Sequence, residues 1–560
     1  MMGVLGELFF NLDIWQTCLI LLVTSIIIYG FRPHYRWPLR HIPGRPPKWF
    51  WGNLMELRAG GPIQTHAKWA KEYGPVFTSF GGTRPFVFVD QPDLVRQVLL
   101  QNSSRPIFPT IWQGREREFD RASILAVSGE KHKSVRSAWQ PMFFTGSLES
   151  YSALMNEATD ILLMKLAAAA KENRVIDLYK LIGNMTLQVV GTTAFGVEFH
   201  TQDLDSTDKT MQAEEQEAAQ HLRDAVASIF SVSVFAFSAY SPLIFLFPFM
   251  VPVLRIVAGV FPDKGLLRMK RARRVIVDEV AALIRQRRLA LAAEEARTDS
   301  LNTKGEEDKA GMGLRENTLQ VRKGVAPGSF LDLLMSAKDR TTGKAFTDLE
   351  LANQAFIMML AGYETTAAAL SFTLFLLAAH PDKQQLLVEE VDSFGRDRAP
   401  GLEDLEGMPY LDACLKEALR LYPPAPTHIR EAARDCELGG YRIRKGQWLG
   451  CAVYSMHRNP KYWQDPERFL PERFLEGSPE YEEGIYKKWL PFGDGPRACI
   501  GARFALMEAK ITLIRMYQRF TFELEPGQLP LKIHTTITIR PENGVRVRAI
   551  PRTLSLHREP

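Results

Sequence analysis

The chain has 560 residues, 46% hydrophobic and 24% charged, a balance that excludes an extended disordered protein. Lys and Arg exceed Asp and Glu by 69 to 64, for a net charge of +5, too mild an excess to point to nucleic acid. The five cysteines, Cys18, Cys414, Cys436, Cys451 and Cys499, form no C-x-x-C pair and match no zinc framework. Their odd number in so long a chain favours reduced thiols in a cytosol-facing body over a disulfide-stapled secreted fold.

The first predicted element is apolar. Ile14 to Phe31 carries no charged residue, and a bilayer core about 30 Å thick takes roughly 17–25 apolar residues as helix. Only Glu7 and Asp13 precede it, whereas Arg32, Arg36, Arg40, Arg45 and Lys48 follow. The positive-inside rule therefore expects a lumenal amino terminus and a cytosolic body. The basic n-region and small-residue cleavage site of a signal peptide are missing, which predicts an uncleaved single-pass anchor. Pro43, Gly44, Arg45, Pro46 and Pro47 cannot continue a helix and read as a stiff spacer. The expected organisation is an amino terminus and transmembrane anchor over residues 1–31, a basic, proline-rich linker over 32–48 and a catalytic body over 49–560.

Within the body, strands are predicted at Val76–Phe80 and Pro85–Val89, and a late hairpin at Thr536–Ile539 and Val545–Ala549 through Asn543–Gly544. Phe230 to Phe261 is dense in Phe, Val, Leu and Pro. It reads equally as core or as a surface dipping into lipid. Ala292–Gly328 is rich in Glu, Lys, Gly, Asn and Thr, which predicts a solvated helix end followed by a disordered loop. Thr347 and Glu350 form a T-x-x-E capping box for a helix that can run to His380. From Leu351 to Ala379 its one charged residue is Glu364. A helix apolar on all faces belongs in the core, and a lone carboxylate there is costly unless paired, hydrated or functional. Glu417 and Arg420 stand three apart and face one side of a further helix.

Near the carboxyl end, PFGDGPRACIGAR fits F-x-x-G-x-R-x-C-x-G through Phe492, Gly495, Arg497, Cys499 and Gly501. This resembles the cysteine loop of the cytochrome P450 family. In such a loop a thiolate donates electron density to haem iron and favours O–O cleavage, and glycines let the backbone wrap the sulfur. The resemblance implies haem b with Cys499 as axial thiolate, Phe492 against the cofactor and Arg497 on a propionate. Ala361-Gly362-Tyr363-Glu364-Thr365-Thr366 is similar to the family's A/G-G-x-D/E-T-T motif, where the helix opens beside the oxygen site and Gly362 leaves room over the porphyrin. By that resemblance Thr365 hydrogen-bonds dioxygen or a water and Glu364 relays protons, an acid and a hydroxyl being the residue types that proton delivery needs. Glu417 and Arg420 match the family's E-x-x-R, and the spacing through Trp463, Pro466, Phe469 and Pro471–Phe474 selects Arg473 over Arg468 as third member of a structural triad. Arg136, His132 (in place of the usual tryptophan) and Arg430 resemble propionate ligands. Lys131, Lys133, Lys487 and Lys488 would add a basic face for an acidic electron donor.

The resemblance spans about residues 40 to 550 and implies the mainly α, minor β (α+β) haem-thiolate fold behind one transmembrane helix. It also implies an endoplasmic-reticulum monooxygenase, closer in look to fungal membrane members of secondary metabolism than to bacterial soluble ones. That enzyme inserts one oxygen atom from O2 into an apolar substrate, terpenoid, steroid-like or fatty. Its electrons come from NADPH through cytochrome P450 reductase, with cytochrome b5 as a further donor. The rival readings are a haem-thiolate isomerase or dehydratase that needs no O2, and a non-catalytic haem- or sterol-binding membrane protein. The substrate pocket is expected to draw on Arg105–Val127, the stretch from Phe230, the helix around Phe356–Thr365 and Ala425–Ile429, under a roof of Phe108, Ile111, Trp112 and Ile124.

Overall fold

The computed structural model describes residues 13–31, 37–49, 51–102, 104–106, 110–202, 213–231, 238–302 and 328–552. Helix α1, Ile14–Phe31, is apolar throughout, and Ile14, Trp15, Leu19, Leu21 and Leu22 are exposed. A helix that shows such residues on every side is suited to lipid and not to water. Arg32 and Arg36 lie outside the described residues.

Strands β1 (Val76–Gly81) and β2 (Arg84–Val89) form the predicted antiparallel pair, Val76 opposite Val89. Gly82 turns between them with φ 64°. Two later strands, β4 (His428–Glu431) and β7 (Trp448–Cys451), complete a sheet of order β1-β2-β7-β4; between them β5 (Cys436–Leu438) and β6 (Tyr441–Ile443) make a separate hairpin. The late hairpin departs from expectation. Strand β9 (Ile533–Thr535) pairs with β10 (Ile539–Pro541), so residues 536–538 form the turn. Strand β11 (Arg546–Pro551) instead joins β8 (Phe520–Leu524) and β3 (Ile176–Asp177). Asn543–Gly544 thus connects two sheets. At Gly544, φ is 70° and a Cβ would lie 2.2 Å from the Asp177 carboxylate, so a tight turn is required there but not a hairpin.

The helices that build the site are α2 (Gly129–Trp139), α3 (Thr145–Lys171), α4 (Leu178–Val190), α5 (Ala213–Phe230), α6 (Tyr240–Leu246), α7 (Val251–Val260), α8 (Lys264–Asn302), α9 (Asp348–Ala379), α10 (Pro409–Leu421) and α11 (Ala502–Arg519). Helix α9 starts at the predicted capping box, Thr347 and Glu350 each bonding the other's backbone. Its 32 residues extend about 48 Å and pack on α4, α8, α10 and α11. Length and hydropathy would let α9 cross a membrane, but 78% of that apolar window is buried inside the protein. It is the core helix.

The segment read as core or lipid surface has one face packed inward and one face exposed. Helix α6 and the stretch Pro248–Val260 meet at 116°. Val251, Leu254 and Ala258 of α7 pack inward against Ile111, Trp112 and Phe245, while Val253, Ile256, Val257 and Val260 are exposed on the other face, followed by Phe261 at 72%. Residues 232–237 lie outside the described residues. Helix α8 continues the predicted helix end to Asn302, and residues 303–327 are not described.

Candidate active site

One cavity of about 300 Å³ lies between α9 and the loop that leads into α11, with Phe492, Cys499 and Thr365 in its walls. Of the five cysteines only Cys499 reaches it: Cys18 is in α1, Cys414 and Cys451 are buried elsewhere, and Cys436 is in β5. The sulfur is accessible because it faces this cavity. Burial pushes the thiol up from its usual range, against the Gly501 N–H and the charges of Arg136 and Arg105. The Cys499 N–H donates to the Phe492 carbonyl at 2.9 Å. Gly495 takes φ 71°, and a Cβ there would meet the Leu99 carbonyl at 2.6 Å. Gly493, unmarked by the motif, also takes φ 71°, whereas Gly501 sits at an ordinary φ of −90° and caps α11. The positive end of that helix therefore points back at the sulfur.

Cations crowd one end of the cavity. Arg105, His132, Arg136 and Arg497 line it, and Arg430 lies just behind, 1% exposed. Burial and the charges of Arg430 and Arg497 push Arg105 down to about 9; burial with Arg430 and Arg136 pushes Arg497 down to about 10. Burial, then Arg497 and Arg136, pushes His132 down to about 4. Arg136 Nη1 donates to the Ala498 carbonyl at 2.9 Å and Arg497 Nη1 to the Ile124 carbonyl at 2.8 Å. Among the described residues, the buried Arg105 Nε and Arg430 Nε have no hydrogen-bond partner and no carboxylate lines the cavity. Buried, mutually repelling cations call for an anion. A flat apolar macrocycle with two carboxylates on one edge and a metal above a sulfur fits this donor set.

Helix α9, which also lines the cavity, runs unbroken through Ala361–Thr366, so the expected opening is not present; the Thr365 hydroxyl donates to the Ala361 carbonyl at 2.7 Å. Gly362 does leave room, but the space its Cβ would fill lies 2.5 Å from Val190 of α4. Glu364 turns away from the cavity. It is 1% exposed, its Oε2 accepts from the Tyr179 hydroxyl at 2.7 Å, and its Oε1 lies 3.9 Å from Arg540 Nε. Burial raises its carboxyl, opposed by Tyr179 and Arg540.

Behind the cysteine loop, Glu417 and Arg420 pair at 2.7 Å with both side chains fully buried. Arg473 Nε joins Glu417 at 3.4 Å, while Arg468 is exposed and pairs with Asp465. Arg420 Nη1 donates to the His457 carbonyl at 2.7 Å. The His457 ring accepts from the Leu490 N–H at 3.0 Å and lies 3.2 Å from the Arg420 carbonyl. Burial, helped by Arg420, lowers its pKa to about 3, so a neutral imidazole hydrogen-bonds the triad to the start of the cysteine loop.

Residues 42–547 match the family model described as Cytochrome P450. The chain belongs to the cytochrome P450 family. It is 34% identical to thromboxane-A synthase of Sus scrofa and 33% to that of Rattus norvegicus, in each case over 90% of this chain and 91% of the relative. It is 31% identical to cytochrome P450 3A5 of Homo sapiens over 97% of this chain and 98% of the other. P450 enzymes bind haem through a cysteine thiolate, and the cavity described above fits that group. The helical body with small sheets is the P450 fold.

Several expectations need correction in this P450. Ile111 and Trp112 do not roof the cavity; they pack under α7, because an amphipathic helix lies over them. Ile124 does line it, and Phe108 lies outside the described residues. The basic face is largely neutralised: Lys131 sits 2.6 Å from both Asp339 and Glu350, and Lys133 and Lys488 pair with Glu130 and Glu482. Arg105 and His428 line the cavity from the two segments expected to reach it, but sequence motifs missed Tyr179, His457 and the Val190, Thr193 and Ala194 wall. Each acts through contacts far away in the chain.

Proposed function

We propose that this P450 is a membrane-anchored haem-thiolate monooxygenase acting on an apolar substrate. The observation that carries the reading is one cavity lined by both Cys499 and Thr365 and by a group of mutually repelling arginines. Bound haem supplies the activation of O2, with thiolate electron density favouring O–O cleavage. Cys499 would be its axial thiolate, with Phe492 beside it. Arg497, Arg136, Arg105, His132 and Arg430 would hold the propionates. Glu417, Arg420 and Arg473 keep the loop behind the sulfur in place. Thr365 lines the cavity, and Glu364, the adjacent residue, would pass protons toward it from the side that leads past Arg540. Ile357, Met358, Ala361 and Leu125 exclude water and favour an apolar substrate over a polar one.

Residues 1–31 are the membrane anchor, 32–48 the linker and 49–560 the catalytic domain, seated on the cytosolic face of the endoplasmic reticulum. The exposed stripe of α7 lies in the same membrane, so substrate enters from lipid. Electrons come from NADPH through cytochrome P450 reductase, with cytochrome b5 as a second donor. The likeness to proteins named synthases gives weight to a second reading, rearrangement of a peroxide without O2 or reductase. Glu364 and Thr365 favour the first, because both serve proton delivery. The test is turnover of apolar metabolites with NADPH, reductase and O2, compared with anaerobic turnover of lipid peroxides. Oxygen- and reductase-dependent product supports monooxygenation, and product from peroxide alone overturns it. In Cys499→Ala, the reduced-carbonyl band typical of thiolate ligation should vanish.

A further inference from the structure

The α7 stripe ends beside a second groove, unrelated to the haem cavity. Val253, Ile256, Val257, Val260 and Phe261 recur at helical spacing and are exposed. Three residues beyond Phe261, within about 10 Å of chain, Lys264 opens α8. The corner between them is built: Asp263 accepts from Ser238 Oγ at 2.7 Å, the Ala239 N–H at 2.6 Å and the Leu266 N–H at 2.7 Å.

The groove, about 480 Å³, lies between α5 and α8. Ala225, Leu267, Ala272 and Val275 give it apolar walls. Lys264, Arg268 and Arg271 rim it at i, i+4 and i+7, on one face of α8. Their neighbours on the helix are committed: Lys270 to Glu116, and Arg273 to Asp120 at 2.6 Å. Among the described residues these three make no ion pair. Asp224, the groove's carboxylate, lies 3.2 Å from Arg223, and His221 lies 3.8 Å from Glu217. An apolar floor with a cationic rim, three residues along the chain from the end of an exposed apolar stripe, suits an amphiphile with an anionic head and not a free ion.

We propose that this groove holds the headgroup of an anionic phospholipid whose acyl chains lie along the α7 stripe. The proposal rests on the reading of α7 as membrane-seated. The lipid then fixes the tilt of α5 and α8 over the catalytic body.

The test uses the full-length holoprotein in nanodiscs of phosphatidylcholine alone or with increasing phosphatidylserine, followed by hydrogen exchange. Residues 251–261 should be protected in both lipids, and residues 264–275 only when phosphatidylserine is present. In the triple variant Lys264→Gln, Arg268→Gln, Arg271→Gln, the phosphatidylserine fraction giving half-protection should rise by at least about fivefold, the effect of losing even one cation near an anionic surface. The haem spectrum should not change. Equal protection of 264–275 in the two lipids, or an unchanged variant, overturns the proposal. So does protection by soluble glycerol phosphate alone, which would make it a free-phosphate site. Absence of protection at 251–261 in either lipid overturns the membrane reading instead.

Discussion

Glu364 is the one charged residue of α9 beyond its first turn, and its orientation decides what it can do. A carboxylate facing the cavity could donate directly; this one is held on the far side of α9 by Tyr179 at 2.7 Å. Burial raises its carboxyl and the Tyr179 hydrogen bond opposes that rise. Removing the hydroxyl in Tyr179→Phe therefore shifts the carboxyl further up. If Glu364 donates protons, turnover falls as pH rises through its raised pKa. The alkaline limb of the pH–rate profile should then move to higher pH in Tyr179→Phe and disappear in Glu364→Gln. Glu364→Gln should slow turnover by about 10²-fold with haem content intact. An unmoved alkaline limb in Tyr179→Phe would leave Tyr179 a structural residue only. Arg105 makes the complementary point: no motif marks it, yet it lines the cavity with an unpartnered, buried Nε.

Between elements, close approach and shared hydrogen bonds set the site. Helices α4 and α9 meet where Gly362 lacks a Cβ opposite Val190. Gly362→Ala should destabilise the protein by about 1–3 kcal/mol, as overpacking does. Adding Val190→Ala should restore much of the loss, which a double-mutant thermal melt would read as coupling. Absence of coupling would place the strain elsewhere. The His457 bridge is the second inter-element device. His457→Leu leaves the buried Leu490 N–H without its acceptor and the Arg420 carbonyl without its ring contact, a loss of about 1–3 kcal/mol for each unsatisfied group. Haem should dissociate faster from this variant, while Cys499 ligation stays spectroscopically intact in the fraction that keeps haem. Helix α9 itself was legible from the sequence because caps and periodicity are local signals. The β11 pairing was not, since Asn543–Gly544 reports a turn and cannot report which distant strand receives the chain.

For the molecule as a whole, two apolar features are exposed, α1 and one face of α7, and the proposed function seats both in lipid. Deleting residues 1–32 should therefore weaken membrane attachment without abolishing it, and leave haem binding unchanged. Carbonate washing and detergent partition would measure this, and complete solubility of the truncated protein would remove α7 from the membrane face. The sequence alone determined the cysteine motif, the bounds of the core helix, the apolar amino-terminal segment and the Glu417–Arg420 pair, because each is written in a short run of neighbouring side chains. Only the tertiary structure decided that Arg105 joins the cation cluster, that Glu364 faces Tyr179, that Ile111 and Trp112 lie under α7, and that most of the proximal lysines are neutralised. Those outcomes depend on which distant segments meet, and charge, burial and packing act through space without regard to order along the chain.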